Sequence, residues 1–223
     1  MCGRFTLSAN PETIAEEFNI KNFPDFKPTY NVAPTQNVLA VLNEEKTLQR
    51  QFKKLRWGLI PSWAKDFSIG ARLINARSET VAEKPAFRSA YKRRRCLVVA
   101  DGFFEWKKQK DKKQPFYFLL QNQRLFAFAG LWEKWTSPQG EEVHSCTILT
   151  TTANRLLQPI HHRMPLLLKQ QDYELWLDPQ VQSPVLLQDL LSPYPSEDMK
   201  SYEVSSFVNN PKHNSHQCVE AVA

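Results

Sequence analysis

The sequence predicts a single α+β domain built mostly from antiparallel strands, with a few short helices. Three observations lead there. The 223 residues are 42% hydrophobic and 12% aromatic, enough to bury one substantial core. Fifteen prolines against six glycines favour fixed loops over long helices. From Cys96 to Thr151 short apolar runs alternate with polar turns, the pattern of hairpins. No internal repeat, low-complexity linker or composition shift divides the chain, so residues 1–223 read as one domain.

The elements follow in order. Asn10-Pro11-Glu12 combines an N-cap, a proline suited to the first helical position and an acid in the first turn. Ile14, Ala15 and Phe18 then give an apolar face, so a helix is expected to about Phe18. Val38 to Leu42 reads as a strand, Asn43 to Lys46 as its turn, and a second strand starts near Leu48. Ser78 could cap a short helix that Pro85 interrupts. Cys96 to Ala100 is a short apolar run of buried-strand type. Phe103 to Lys108 and Pro115 to Leu120 flank a lysine-rich turn and predict a hairpin. Leu125 to Trp132 and Val143 to Thr151 form another, joined through Ser137-Pro138-Gln139-Gly140. Met164 to Leu168 reads as a strand, and Asp172 to Leu177 and Val185 to Leu191 as short helices.

Bulk properties narrow the function. A formal charge of +6 and a pI near 9.1 favour a polyanionic partner, modestly. Cys2, Cys96, Cys146 and Cys218 are far apart with no CxxC pair, which argues against a zinc ribbon or dithiol motif and suits a reducing cytoplasm. His213, His216 and Cys218 offer three soft ligands without a second cluster, so no metal and no other cofactor is expected. No apolar stretch reaches membrane-spanning length, and the N-terminus lacks a signal-type run.

Four segments could carry chemistry. Cys2 directly follows Met1. With Met1 removed, the chain would start with an amine and a thiol on adjacent carbons. Such a pair condenses with an aldehyde to an imine and then closes to a thiazolidine ring. The amine titrates near ~8 and an ordinary thiol near ~8.5, so both have reactive fractions at neutral pH. Taken alone, a residue-two cysteine reads more readily as an accident of the start than as a site. Glu105 is a lone acid between Phe104 and Trp106 in an expected strand. In an apolar pocket it would hold its proton and serve as acid or base; facing solvent it would simply pair with a lysine. In Ile160-His161-His162-Arg163-Met164-Pro165, histidine at a strand start suits proton transfer. If the segment is extended, only one of the two histidines enters a site. Asn75 and Arg77, two apart, share a face in any extended segment; an amide there could hold a substrate oxygen and a guanidinium could grip a phosphate. Between Lys92 and Lys113 nine Lys or Arg face three acids, with Phe103, Phe104 and Trp106 interleaved and Trp57 and Trp63 upstream. That mixture suits single-stranded nucleic acid, although basic faces are often only solvated and aromatics are often core.

Taken together and in order, several segments resemble the SOS-response-associated peptidase (SRAP) family, which processes abasic sites in DNA. They are Cys2-Gly3-Arg4-Phe5, Tyr30-Asn31-Val32-Ala33-Pro34, Trp57-Gly58-Leu59-Ile60-Pro61, Ile74-Asn75-Ala76-Arg77-Ser78-Glu79, Ala100-Asp101-Gly102-Phe103-Phe104-Glu105-Trp106-Lys107, His161-His162-Arg163-Met164-Pro165 and Val208-Asn209-Asn210. The resemblance implies strands curled into a pseudo-barrel and a basic groove for single-stranded DNA. It implies that Cys2 crosslinks to the ring-opened abasic sugar as a thiazolidine. Asn75 would position the reacting terminus, Glu105 would act as acid and base, and His161 would move protons. Arg4 and Arg77 would hold flanking phosphates, Asn31 and Pro34 would line the DNA site, and Trp63 with the turn Ile60-Pro61-Ser62 would wedge beside the missing base. A monomer in the cytoplasm, at the nucleoid in a bacterium, is implied too. Removal of the residue ahead of Cys2 could be self-catalysed or left to a general aminopeptidase. The tail from Pro211 to Cys218 departs from the expected polar end. Two other readings stay open: a thiol peptidase using Cys2, His161 and Glu105 on other proteins, and a non-catalytic nucleic-acid-binding barrel.

Overall fold

The computed structural model describes residues 2–21, 26–44, 47, 49–110 and 112–222. In chain order the elements are Phe5–Leu7 (β1), Pro11–Phe18 (α1), Thr29–Val32 (β2), Asn37–Asn43 (β3), Arg50–Trp57 (β4), Asn75–Arg77 (β5), Arg88–Arg93 (α2), Arg95–Ala100 (β6), Gly102–Lys108 (β7) and Lys113–Leu120 (β8). They continue with Phe126–Thr136 (β9), Glu142–Thr152 (β10), Arg163–Pro165 (β11), Leu167–Leu168 (β12), Tyr173–Leu177 (α3), Pro184–Leu187 (α4) and Met199–Glu203 (β13). The mixed, mostly antiparallel fold class is the one the sequence predicts.

Five strands close on themselves. β10 pairs with β4, β4 with β3, β3 with β6, β6 with β9, and β9 returns to β10. Closure removes free edges, and it forces side chains to alternate between the lumen and the outer wall. Val38, Ala40 and Leu42 on β3, Cys96, Val98 and Ala100 on β6, and Phe126, Phe128 and Trp132 on β9 belong to one cluster with Cys2 and Phe5. Their neighbours Leu39, Val41, Leu97, Val99, Ala127, Ala129 and Leu131 belong to another, covered by Ile14 and Phe18 of α1, Ala90 and Tyr91 of α2 and Trp176 of α3. Burial on both faces is why Cys96 to Ala100 is a continuous apolar run rather than an alternating one.

A second sheet, in the order β13-β8-β7-β1-β2, lies against this barrel. Phe103 and Phe118 face the barrel cluster, while Phe104 and Tyr117 face the C-terminal segment through Val204, Val208 and Cys218. The tail that looked anomalous is therefore a lid over this sheet. The His213 ring stacks on Phe207 with centroids 3.8 Å apart, and Cys218 is fully buried.

Most expected elements are present. Asn10 caps α1, its side chain accepting from the Thr13 N–H at 2.8 Å, and Asn19 ends it in the left-handed region at φ 51°. Both predicted hairpins form, as β7–β8 and β9–β10. The expected start at Leu48 falls outside the described residues; β4 begins at Arg50. Two expectations are corrected. No helix starts at Ser78: residues 78–87 run as turns, with the Ser78 N–H donating to Thr150 at the end of the β5–β10 pairing, and α2 begins only at Arg88. Trp57, Phe103 and Phe104 are not a stacking platform, because their rings are fully buried. Trp63 remains 60% exposed and Trp106 reaches the surface in part.

Candidate active site

Cys2 precedes β1, which is pinned on both sides: Phe5 opposes Val32 of β2 and Phe103 of β7. The Cys2 side chain is fully buried, with its thiol 3.8 Å from the Arg4 carbonyl. Burial, reinforced by the charge of Glu105, pushes the Cys2 thiol well up, so it stays protonated near neutrality. Asn75 stands at the start of β5, which pairs in parallel with β10. Its amide donates to the Cys2 carbonyl oxygen at 2.8 Å across 73 residues of sequence. Asn75 thus grips the backbone of the cysteine and leaves the thiol alone.

Glu105 lies in β7 on the same face as Phe103 and is only 3% exposed. Burial raises its carboxyl above the ordinary range, so it keeps a proton to higher pH than a surface glutamate. It lines an open cleft of about 720 Å³ with Arg4, Trp106, Lys108, Lys113, His161 and His162 among the walls. His161 is half-buried, and burial lowers its imidazole, leaving it mostly neutral at pH 7. Its Nδ1 sits 3.0 Å from both the N–H and the carbonyl of Arg163, which fixes the ring by backbone contact. The expectation that only one histidine enters the site is corrected. The chain bends at His162 instead of extending, the two rings stack with centroids 4.5 Å apart, and both line the cleft.

Arg4 reaches the cleft from β1's leading end. Its Nη1 donates to Asn31 Oδ1 at 2.8 Å and to the Val208 carbonyl at 2.9 Å, and its guanidinium lies 5.9 Å from the Trp106 ring. Asn31 is 1% exposed. Its amide donates to the Val208, Asn210 and His213 carbonyls. Asn31 thus lies behind Arg4, which it helps to orient. Arg77 is exposed at the end of β5, and Pro34 is half-buried in the turn after β2. Trp63 projects from a loop anchored where Trp135 donates to the Ala64 carbonyl at 2.8 Å. Gly58, at φ 128°, lets this loop's base pass the backbone of Gly70, where a Cβ would lie 2.5 Å from a carbonyl oxygen. Asn209 and Glu79 carry no role in the sequence reading, and Trp106 only that of a ring interleaved with cations. Trp106 donates to Asn209 Oδ1 at 2.7 Å and closes one wall of the cleft. The signal was present in the quoted segments, but pairs so far apart in sequence cannot be matched without coordinates.

A closed barrel with a buried cysteine at residue two, its carbonyl held by an amide and its thiol within the field of Glu105, beside an open cleft that Glu105 shares with Arg4 and His161, defines the class of protein. The chain belongs to the family described as SOS response associated peptidase (SRAP), which it matches over residues 1–211. It is 48% identical to the abasic site processing protein YoqW of Bacillus subtilis over 99% of this chain and 100% of that protein. It is 30% identical to the abasic site processing protein HMCES of Xenopus tropicalis, covering 100% of this chain and 78% of that one. A crystal structure of a Bacteroides thetaiotaomicron protein superposes with a TM-score of 0.90 at 27% identity, covering both chains fully.

Proposed function

We propose that this chain processes abasic sites in single-stranded DNA by forming a covalent thiazolidine between Cys2 and the ring-opened sugar. The single observation that carries the reading is Asn75 holding the Cys2 carbonyl beside a cleft walled by Arg4, Glu105 and His161.

The chemistry begins with loss of Met1, by hydrolysis of its peptide bond to Cys2. The freed α-amine attacks the sugar aldehyde. The carbinolamine then loses water, its departing hydroxyl protonated by Glu105, whose carboxyl burial shifts toward the protonated form. The thiol next adds across the C=N bond. Sulfur bonds to carbon, and the thiol proton ends on the ring nitrogen. The net balance is one C–N and one C–S bond formed and one water released. Because the Cys2 thiol is held protonated, the amine is the first nucleophile and sulfur closes the ring afterwards. His161 relays protons between the sugar hydroxyl and solvent. Arg4 and Arg77 take the flanking phosphates, and Trp63 stacks beside the gap left by the missing base. Held this way, the lesion is shielded from strand cleavage, and the protein acts as a monomer in the cytoplasm, at the nucleoid in a bacterial cell.

Mixing the protein with an abasic single-stranded oligonucleotide tests this. A heat-stable adduct is expected on a denaturing gel. Cys2→Ala, with its amine intact, should give only an imine that survives when borohydride reduces it. A full yield of heat-stable adduct from Cys2→Ala, without reductant, would exclude the thiazolidine. Cleavage of an unrelated peptide in the absence of DNA would favour a thiol peptidase instead.

A further inference from the structure

We propose that Glu79, acting through Arg163, is a positioning residue that fixes the orientation of His161 and the electrostatic field in which it works. The inference rests on the abasic-site reading only for its consequence, not for its geometry. Arg163 opens β11, where it opposes Thr152, and its side chain is 9% exposed. A buried guanidinium requires a counter-charge and filled donors. Glu79 supplies the counter-charge in a two-pronged contact, Nη1 to Oε1 at 2.5 Å and Nη2 to Oε2 at 3.0 Å. Nη2 also donates to the Thr150 carbonyl at 2.5 Å and lies 3.3 Å from its hydroxyl. The clamp therefore ties the turn after β5 to β10 and β11. The backbone of the same Arg163 meets His161 Nδ1 at 3.0 Å, so the clamp and the imidazole share one residue.

Electrostatics couple the same residues. His161 faces Arg163 on its own segment, His162 stacked against it, and Arg4, Glu105, Lys108 and Lys113 around the cleft. Burial and the N-terminal amine oppose protonation of His161; the Arg163 backbone hydrogen bond favours it, and the Arg163 guanidinium, a smaller influence, opposes it. Glu79 neutralises that cation, and its own carboxyl is held below the usual range by the Arg163 hydrogen bond. Removing the Glu79 charge would leave Arg163 uncompensated beside the imidazole. The imidazolium would be less favoured, and the midpoint of His161 would fall.

The test is an NMR titration of the His161 ring in the DNA-free protein, wild type against Glu79→Gln. The expected result is a midpoint lower by roughly half a pH unit, the size of one part-screened charge at this range. If the glutamine variant melts below the titration temperature, Glu79→Ser, which lets water fill the gap, serves instead. A midpoint that is unchanged or raised overturns the proposal. In the adduct assay, Glu79→Gln should move the pH–rate profile the same way, and should not move it in a His161→Ala background. An equal shift in that background also overturns the proposal. A wild-type protein that forms no adduct at all refutes the abasic-site reading instead, and leaves the titration to decide the role of Glu79.

Discussion

Glu105 shows how one residue can be costly for folding and useful for chemistry. Its folded carboxyl titrates above its unfolded value. A group of that kind contributes stability below the unfolded pKa, and the contribution is lost as pH rises through the folded one. Glu105→Gln should therefore raise Tm at pH 8 more than at pH 4, while slowing adduct formation by roughly 10²-fold, the usual scale of acid–base assistance. Melts at both pH values with single-turnover gels check the two halves together. Equal Tm changes at the two pH values would contradict the buried-acid assignment. Asn75→Ala removes a partner from the Cys2 carbonyl and should cost about 1–3 kcal/mol in adduct formation, measured as a rate at saturating oligonucleotide. Sequence reading identified these side chains by type: an acid between aromatics, an amide two residues from an arginine. It missed the bond from Arg4 to Asn31, because nothing in Tyr30-Asn31-Val32 tells an amide that touches a ligand from one that holds an arginine.

At the level of elements, legibility followed length and burial. β6, β9 and β10 were readable because each carries its own apolar signal over six or more residues. β1 and β5 have three residues each and no periodicity to detect; they exist because longer strands pair with them. The turn between β6 and β7 shows how tightly such joints are built. A Cβ on Gly102 would fall 2.0 Å from the Tyr117 hydroxyl. That hydroxyl lies 2.8 Å from the Thr6 hydroxyl, which donates to Asp101. Asp101 in turn accepts from the N–H groups of Ser8 and Ala9 at 2.5 and 3.0 Å. Gly102→Ala should displace Tyr117 and loosen β1 against β7, destabilising the fold by about 1–3 kcal/mol in urea melts. An unchanged midpoint would mean that Tyr117 moves aside freely.

The whole molecule supplies what no segment carries alone. Cys2, Asn75, Glu105 and His161 are spread from residue 2 to residue 161 and come from the approach to β1, β5, β7 and the approach to β11. Their convergence depends on a parallel pairing of β5 with β10 and on a sheet laid across a closed barrel. Local sequence encodes neither, so the resemblance to a family was the only guide to the site before coordinates. The net charge of +6 acts at this scale as well. If about three phosphates are contacted, affinity for undamaged single strands should fall with salt along a log–log slope of roughly −2. A flat salt response would exclude a backbone-gripping groove. No helix among the described residues is long and apolar enough to cross a membrane.

The central claim is that Cys2, freed of Met1, closes a thiazolidine on an abasic aldehyde. Intact mass of the protein before and after mixing with an abasic oligonucleotide tests it most directly. The account predicts a free protein lacking Met1, and an adduct equal to protein plus oligonucleotide less one water that vanishes in Cys2→Ala. A protein without Met1 that binds the oligonucleotide and gains no covalent mass would contradict it.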